Sequence, residues 1–163
     1  MHLELDQVGD FLIRDMEPVC VDTLIRLPSF LESDDPRVRD RLLPRTYTDP
    51  EEEAEWRRHS TPDLEHLFAS NIDIVRKDLD SVEIDGSNLY RFTIPAKHRA
   101  AWLSALNAGR LAIFAVNDMV AEDMEIEVGT SGDRVKDLAL LRIHILAFLQ
   151  ESLIAGGNPL DED

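Results

Sequence analysis

Cysteine is almost missing from this chain: Cys20 is the single thiol among 163 residues. One thiol excludes an intramolecular disulfide and any zinc site that draws two cysteines from the same chain. Cys20 lies between Val19 and Val21, a setting in which a free cysteine acts as a small apolar core residue. Glycine is scarce too, seven in all, and none stands in a GxxxxGK(S/T) or GxGxxG phosphate loop. Neither a GxSxG nucleophile elbow nor an HExxH zinc motif occurs. Basic residues form the third deficit: 17 Lys and Arg face 33 Asp and Glu, for a formal charge of −16. Binding to a phosphate backbone rests on cations that displace counterions, so nucleic acid and anionic membrane are poor direct partners. No apolar run is free enough of charge to suggest a bilayer span, and the acidic start MHLELDQVGDFLIRDME is unlike a secretory signal. A cytoplasmic location is expected.

The strongest positive signal is residues 135–154, VKDLALLRIHILAFLQESLI, whose apolar side chains fall on nearly every face. A helix apolar all round is a buried one, so the other segments are expected to wrap around it. The length suits one domain, 1–163, with 158–163 as a solvated tail. His2–Leu5 alternates as a short strand. Asp6 then reads as the cap of a helix through Leu27, kinked or broken at Pro18 and ended by Pro28.

Asp35-Pro36, Asp49-Pro50 and Thr61-Pro62 each pair a capping side chain with proline at the first helical position. They predict helices over 36–43, 50–58 and 62–81. After the turn at Asp85-Gly86-Ser87-Asn88, LYRFTI (89–94) reads as a strand, and Pro95 opens a helix to about Val120. That helix carries alanines at 101, 105, 108, 112 and 115 beside Trp102, Leu106, Ile113 and Val116. Both faces are expected to pack within the molecule, with a subunit interface as the alternative. The expected fold is mainly α: a single-domain helical bundle around a buried C-terminal helix. A small antiparallel sheet pairs the two short strands, with 122–128 as an optional third.

The search for chemistry finds little. The five histidines, His2, His59, His66, His98 and His144, are scattered. His144 is expected to be a hydrogen-bonded core imidazole. A di-iron bundle needs Glu-x-x-His on two helices, and the chain offers only Asp63-Leu64-Glu65-His66. The acids Asp118, Glu122, Asp123, Glu125 and Glu127 lack calcium-loop spacing and read as a solvated face. No cofactor or metal is expected. The basic residues are less random: Arg37, Arg41 and Arg45 lie four apart, and Trp56 with Arg58 follows. Arginine beside exposed tryptophan is the composition of interface hot spots. Arg37, Arg41, Arg45, Trp56 and Arg58 are therefore the candidate protein-contact residues.

The order of several short motifs resembles a bacterial family of actinobacterial type, the domain of unknown function 2017 family. These are Asp35-Pro36 through Arg41-Leu42-Leu43-Pro44, Tyr47, Asp49-Pro50 and the acidic run to Arg58. Further on come Phe92-Thr93-Ile94, Ala101-Trp102-Leu103, Ala105-Leu106-Asn107, Arg110-Leu111-Ala112 and Leu149-Gln150-Glu151 with Leu153. The resemblance implies no catalytic residues. It implies cytoplasmic regulatory proteins, one branch being linked to redox-responsive transcription through contact with a sigma factor. That mechanism involves a cysteine pair, and this chain has only Cys20. Asn107-Ala108-Gly109-Arg110 also departs from the Asn-Asp-Leu-Arg of the family pattern.

Residues and resemblance together lead to a non-enzymatic protein-interaction or regulatory protein. Its partner is expected to be another protein, such as a sigma factor or other transcription protein, or a second copy in a homodimer. The alternative is an enzyme or ligand binder with a pocket between helices using His66, His144 or the 118–127 acids. A purely structural subunit of a homo-oligomer is the third reading.

Overall fold

The N-terminal segment pairs with itself before any helix forms. The computed structural model describes residues 1–156, in which His2–Leu5 (β1) and Phe11–Met16 (β2) make an antiparallel hairpin with Leu3 opposite Ile13. Asp6 closes the turn, its Oδ1 accepting from the backbone N–H of Val8 at 2.8 Å and of Asp10 at 2.9 Å. The helix expected from Asp6 to Leu27 is therefore replaced by a turn, a strand and a shorter helix. The reason lies in which residues enter the core. Leu5 and Val8, which suggested helical spacing, are exposed, whereas Leu3, Phe11, Ile13 and Met16 are buried. That inward set alternates, and a bulge between Ile13 and Met16, with Asp15 at φ 53°, returns Met16 to the core side.

β2 is flanked on its other edge by Tyr90–Ile94 (β4), and Glu83–Ile84 (β3) completes a four-stranded antiparallel sheet in the order β1-β2-β4-β3. Both expected strands exist, but β2 lies between them, so they do not pair. The 122–128 segment is no strand: Ala121–Glu125 forms a turn of 3-10 helix. Asp123 is buried there, accepting from Val120 N at 2.8 Å and from Lys136 Nζ at 2.8 Å.

Among the described residues six α-helices carry most of the remaining mass: Pro18–Ile25 (α1), Leu27–Leu31 (α2), Pro36–Leu42 (α3), Pro50–Leu79 (α4), Arg99–Val116 (α5) and Arg134–Ala155 (α6). Pro18 starts α1, and Pro28 sits in the first turn of α2 instead of ending a helix. Asp35 and Asp49 cap α3 and α4 as their spacing predicts, and Asp133 caps α6. The break expected before Pro62 is absent, so 50–58 and 62–81 merge into one helix of 30 residues. Proline there removes one hydrogen bond, but Arg58 and Pro62 are exposed, leaving the freed carbonyl to water.

α6 is the hub. Ala139, Leu140, Ile143, Ile145, Leu146, Leu149, Ser152 and Leu153 are buried, and α5, α1 and β1 pack against it. By length and composition it is apolar enough to cross a membrane; here part of that apolarity is buried against neighbouring elements, while Val135, Leu138, Phe148 and Ile154 are exposed. His144, Phe148, Glu151 and Ala155 mark its exposed line. His144 is thus a surface residue, not a core imidazole. Ala101, Ala105, Ala108 and Ala112 are buried together with Trp102, Leu106 and Ile113, so both faces of α5 are used within the molecule. Cys20 is half-buried against the core, and burial pushes its thiol pKa up. Gly156 ends α6 at φ 77°; the rest of the Gly-Gly-Asn-Pro stop and the expected tail lie outside the described residues.

At Gly109, α5 meets side chains of both α2 and α6. A Cβ at this position would stand 2.2 Å from Leu27 Cδ1 and 3.2 Å from Leu146 Cδ1. Leu27 occupies the volume that a larger side chain would need, which gives a physical meaning to the departure from the family pattern. Gly109→Ala is expected to lower stability by about 1–3 kcal/mol through overpacking. Leu27→Ala is itself destabilising, but the double variant should lose less than the sum of the two single losses in urea unfolding; strictly additive losses would refute the steric account.

Candidate functional site

The five candidate residues divide into two sets. Arg37 and Arg41 are committed to the fold. Arg37 forks between Asp35 Oδ2 and Asp118 Oδ2, each at 2.7 Å, and the Arg41 guanidinium lies 5.6 Å from the centre of the Phe114 ring. Both therefore tie α3 to α5 or to the segment that follows α5. Arg45, Trp56 and Arg58 remain exposed around the start of α4. The structure thus brings three of the five to one corner and assigns the other two to helix packing.

One buried carboxylate builds that corner. Glu53 is 6 % exposed, and its Oε2 accepts from Thr46 N at 2.9 Å and Tyr47 N at 2.8 Å. Its Oε1 accepts from Arg57 Nε at 2.7 Å, while Arg57 Nη2 reaches the Leu43 carbonyl at 3.3 Å. The loop before α4 is therefore folded back onto the first turns of the helix. Hydrogen bonding from Tyr47 N–H and the Arg57 guanidinium holds the Glu53 carboxyl below its ordinary pKa. Tyr47 then meets Trp56 edge-on, ring centres 6.0 Å apart at 69°. Two shallow clefts share Tyr47. One, of about 690 Å³, is lined in part by Asp40, Arg45, Pro50, Glu53 and Arg57; the other, of about 370 Å³, is lined by Glu52, Glu55, Trp56, His59 and Ser60 besides Tyr47.

A third groove of about 350 Å³ runs between α3 and α4, with Leu31, Val38, Leu42, Phe68 and Ile72 along it. The Arg39–Glu65 ion pair, at 2.7 Å, involves two of its lining residues. His66 is exposed on α4 and His144 on α6. Of the 118–127 acids, Asp118 pairs with Arg37 and Asp123 with Lys136, while Glu122, Glu125 and Glu127 are exposed. Among the described residues no group of three or more His, Cys, Asp or Glu side chains could hold a metal ion.

Sequence reasoning missed two polar centres. Glu53 was visible only as the partner of Arg57 four residues on, inside an acidic run where the capping residues drew attention. Asp78 is 7 % exposed and falls in step with Ile72 and Val75 on the buried face of α4. Its Oδ2 accepts from Trp102 Nε1 at 2.8 Å, and His98 Nδ1 is 3.0 Å from each carboxylate oxygen. An acid in phase with an apolar stripe was the available signal. The cluster locks α4 to the start of α5, and Phe92 packs on the same indole with ring centres 5.4 Å apart.

Fold and surface together define a mainly helical acidic domain with a small antiparallel sheet, whose clefts lie along α3 and α4. The chain belongs to the family described as Domain of unknown function (DUF2017), whose model matches residues 5–156. No curated protein and no solved structure matches it.

Two outcomes follow from the polar centres. Asp78→Ala leaves the Trp102 N–H buried without an acceptor and should cost about 1–3 kcal/mol in urea unfolding; an unchanged midpoint would remove the lock. For Glu53 the folded-state pKa is depressed, so its contribution is complete above the ordinary carboxylate range and lost as pH falls through the lower folded value. Trp56 emission should therefore change on acidification below that range. In Glu53→Gln the altered emission should already be present at neutral pH, without the acid transition; a wild-type-like titration would refute this role.

Proposed function

We propose that this protein is a non-enzymatic cytoplasmic regulatory protein that binds another protein through the corner between α3 and the first half of α4. A sigma factor or another transcription protein is the leading partner class, in line with the family resemblance; a second copy of the chain is the alternative occupant. The observation that carries this reading is the state of α4. Most of its first two-thirds is exposed, including Trp56 at 40 %, Leu64 at 39 % and Leu67 at 56 %, yet the Asp49 cap and the Glu53 network hold its start in place. A well-fixed helix that leaves aromatic and aliphatic side chains in water has the character of an interaction surface. Pre-ordering also reduces the entropy lost when a partner binds. A charge of −16 supports association with partners of opposite sign and opposes self-association.

The reading of the chain as a small-ligand binder draws on one observation, the apolar groove between α3 and α4. It is the weaker case, because that groove gathers no histidine and its arginine already pairs with Glu65. Cross-linked capture from native cells, with wild type beside an Arg45→Ala/Trp56→Ala variant, tests the interaction reading. The variant should lose most of the recovered partner while its helical circular dichroism stays intact. Equal recovery from both proteins would overturn the assignment of this corner.

A further inference from the structure

The smaller cleft at the start of α4 has a composition suited to one chemical group. Tyr47 and Trp56 stand nearly at right angles, at 69°, and form two aromatic walls. Glu52 and Glu55 line the same cleft, whose volume is about 370 Å³. Among the described residues neither carboxylate makes an ion pair, although 17 Lys and Arg are present in the chain. Two neighbouring arginines are engaged or placed elsewhere, Arg57 by Glu53 and the Leu43 carbonyl and Arg45 in the adjoining cleft. Exposed Arg58 forms no ion pair with either carboxylate among the described residues, and His59 lines the notch itself. Aromatic faces attract cations through the ring quadrupole, and two free carboxylates at the rim add charge of the matching sign. An anionic or purely apolar side chain would leave those carboxylates uncompensated.

We propose that the Tyr47–Trp56 notch, rimmed by Glu52 and Glu55, receives an arginine or lysine side chain from a basic segment of the partner protein. This rests on the interaction reading above and gives that partner its chemistry. The flat guanidinium of arginine can lie against one ring while its N–H groups donate to the carboxylates. Leu64 and Leu67, exposed further along α4, offer apolar contact to the rest of such a segment. A segment that alternates basic and aliphatic residues would match the acidic, partly apolar helix face.

The two tryptophans make the test internally controlled. Trp56 is in the notch, whereas Trp102 is fully buried with its N–H bound to Asp78. Isotope-labelled protein is titrated with N-acetyl-arginine amide, and with the citrulline analogue as its neutral match, while both indole N–H resonances are followed. The Trp56 signal should move saturably with the arginine derivative and the Trp102 signal should stay. Citrulline should bind about fivefold more weakly, and Glu52→Gln/Glu55→Gln should lose a similar factor. No saturable movement at Trp56, equal response to citrulline, or undiminished binding by the double variant would overturn the assignment. If the notch ignores the cation while Arg45→Ala/Trp56→Ala still loses its partner, the interaction reading stands and this one fails. If arginine binds saturably while capture is indifferent to Trp56, the cation site stands and the interaction reading fails.

Discussion

Everything in this molecule is arranged around the need to bury α6. Ala139, Leu140, Ile143, Ile145, Leu146, Leu149 and Leu153 are buried, while Val135, Leu138, His144, Phe148 and Ile154 stay in water, so neighbours must cover one broad apolar face. α5 does most of this: its Trp102, Ala105, Leu106 and Ile113 share one apolar cluster with Leu140, Ile143, Leu146 and Leu149 of α6. The sheet and α1 close other sides. Three of the clefts lie along α3 and α4.

The same constraint explains the unusual exposure of α4. Its C-terminal third is anchored through Ile72, Val75 and Asp78 against the body, with Trp102 and His98 gripping the carboxylate. Beyond that anchor Leu64 and Leu67 are left exposed among the described residues. The N-terminal part is held instead by local polar chemistry, in which one buried carboxylate satisfies two loop amides and an arginine. Polar ordering of a surface corner costs little apolar area, and it leaves Trp56 and Tyr47 fixed yet accessible. The corner thereby positions an aromatic edge beside the Glu52 and Glu55 carboxylates.

Legibility from the chain differed by element for physical reasons. α6 was readable because a long run of apolar residues has few alternatives to burial. α3 and the start of α4 were readable because an acidic cap followed by proline is a local device, complete within four residues. The N-terminal hairpin was misread because Leu5, Val8 and Leu12 happen to fit a helical period, whereas Leu3, Phe11, Ile13 and Met16 enter the core through alternation interrupted by a bulge. Pro62 misled for a related reason: a proline on an exposed helix face costs one hydrogen bond, which the surrounding helix tolerates. The arginine cluster was read as a unit, although the distant Asp118 and Phe114 draw Arg37 and Arg41 away from it.

What the chain determined on its own was therefore the local and the strongly apolar: helix caps, the apolar rod and the surplus of negative charge. Family membership was also legible, because it rests on the order of residues. Tertiary structure alone decided that β2 separates β1 from β4, that Leu27 fills the space above Gly109, and that Glu53, Tyr47 and Trp56 assemble one corner. Each of these depends on contacts whose geometry is set only after the helices pack. No periodicity within a single segment carries that information.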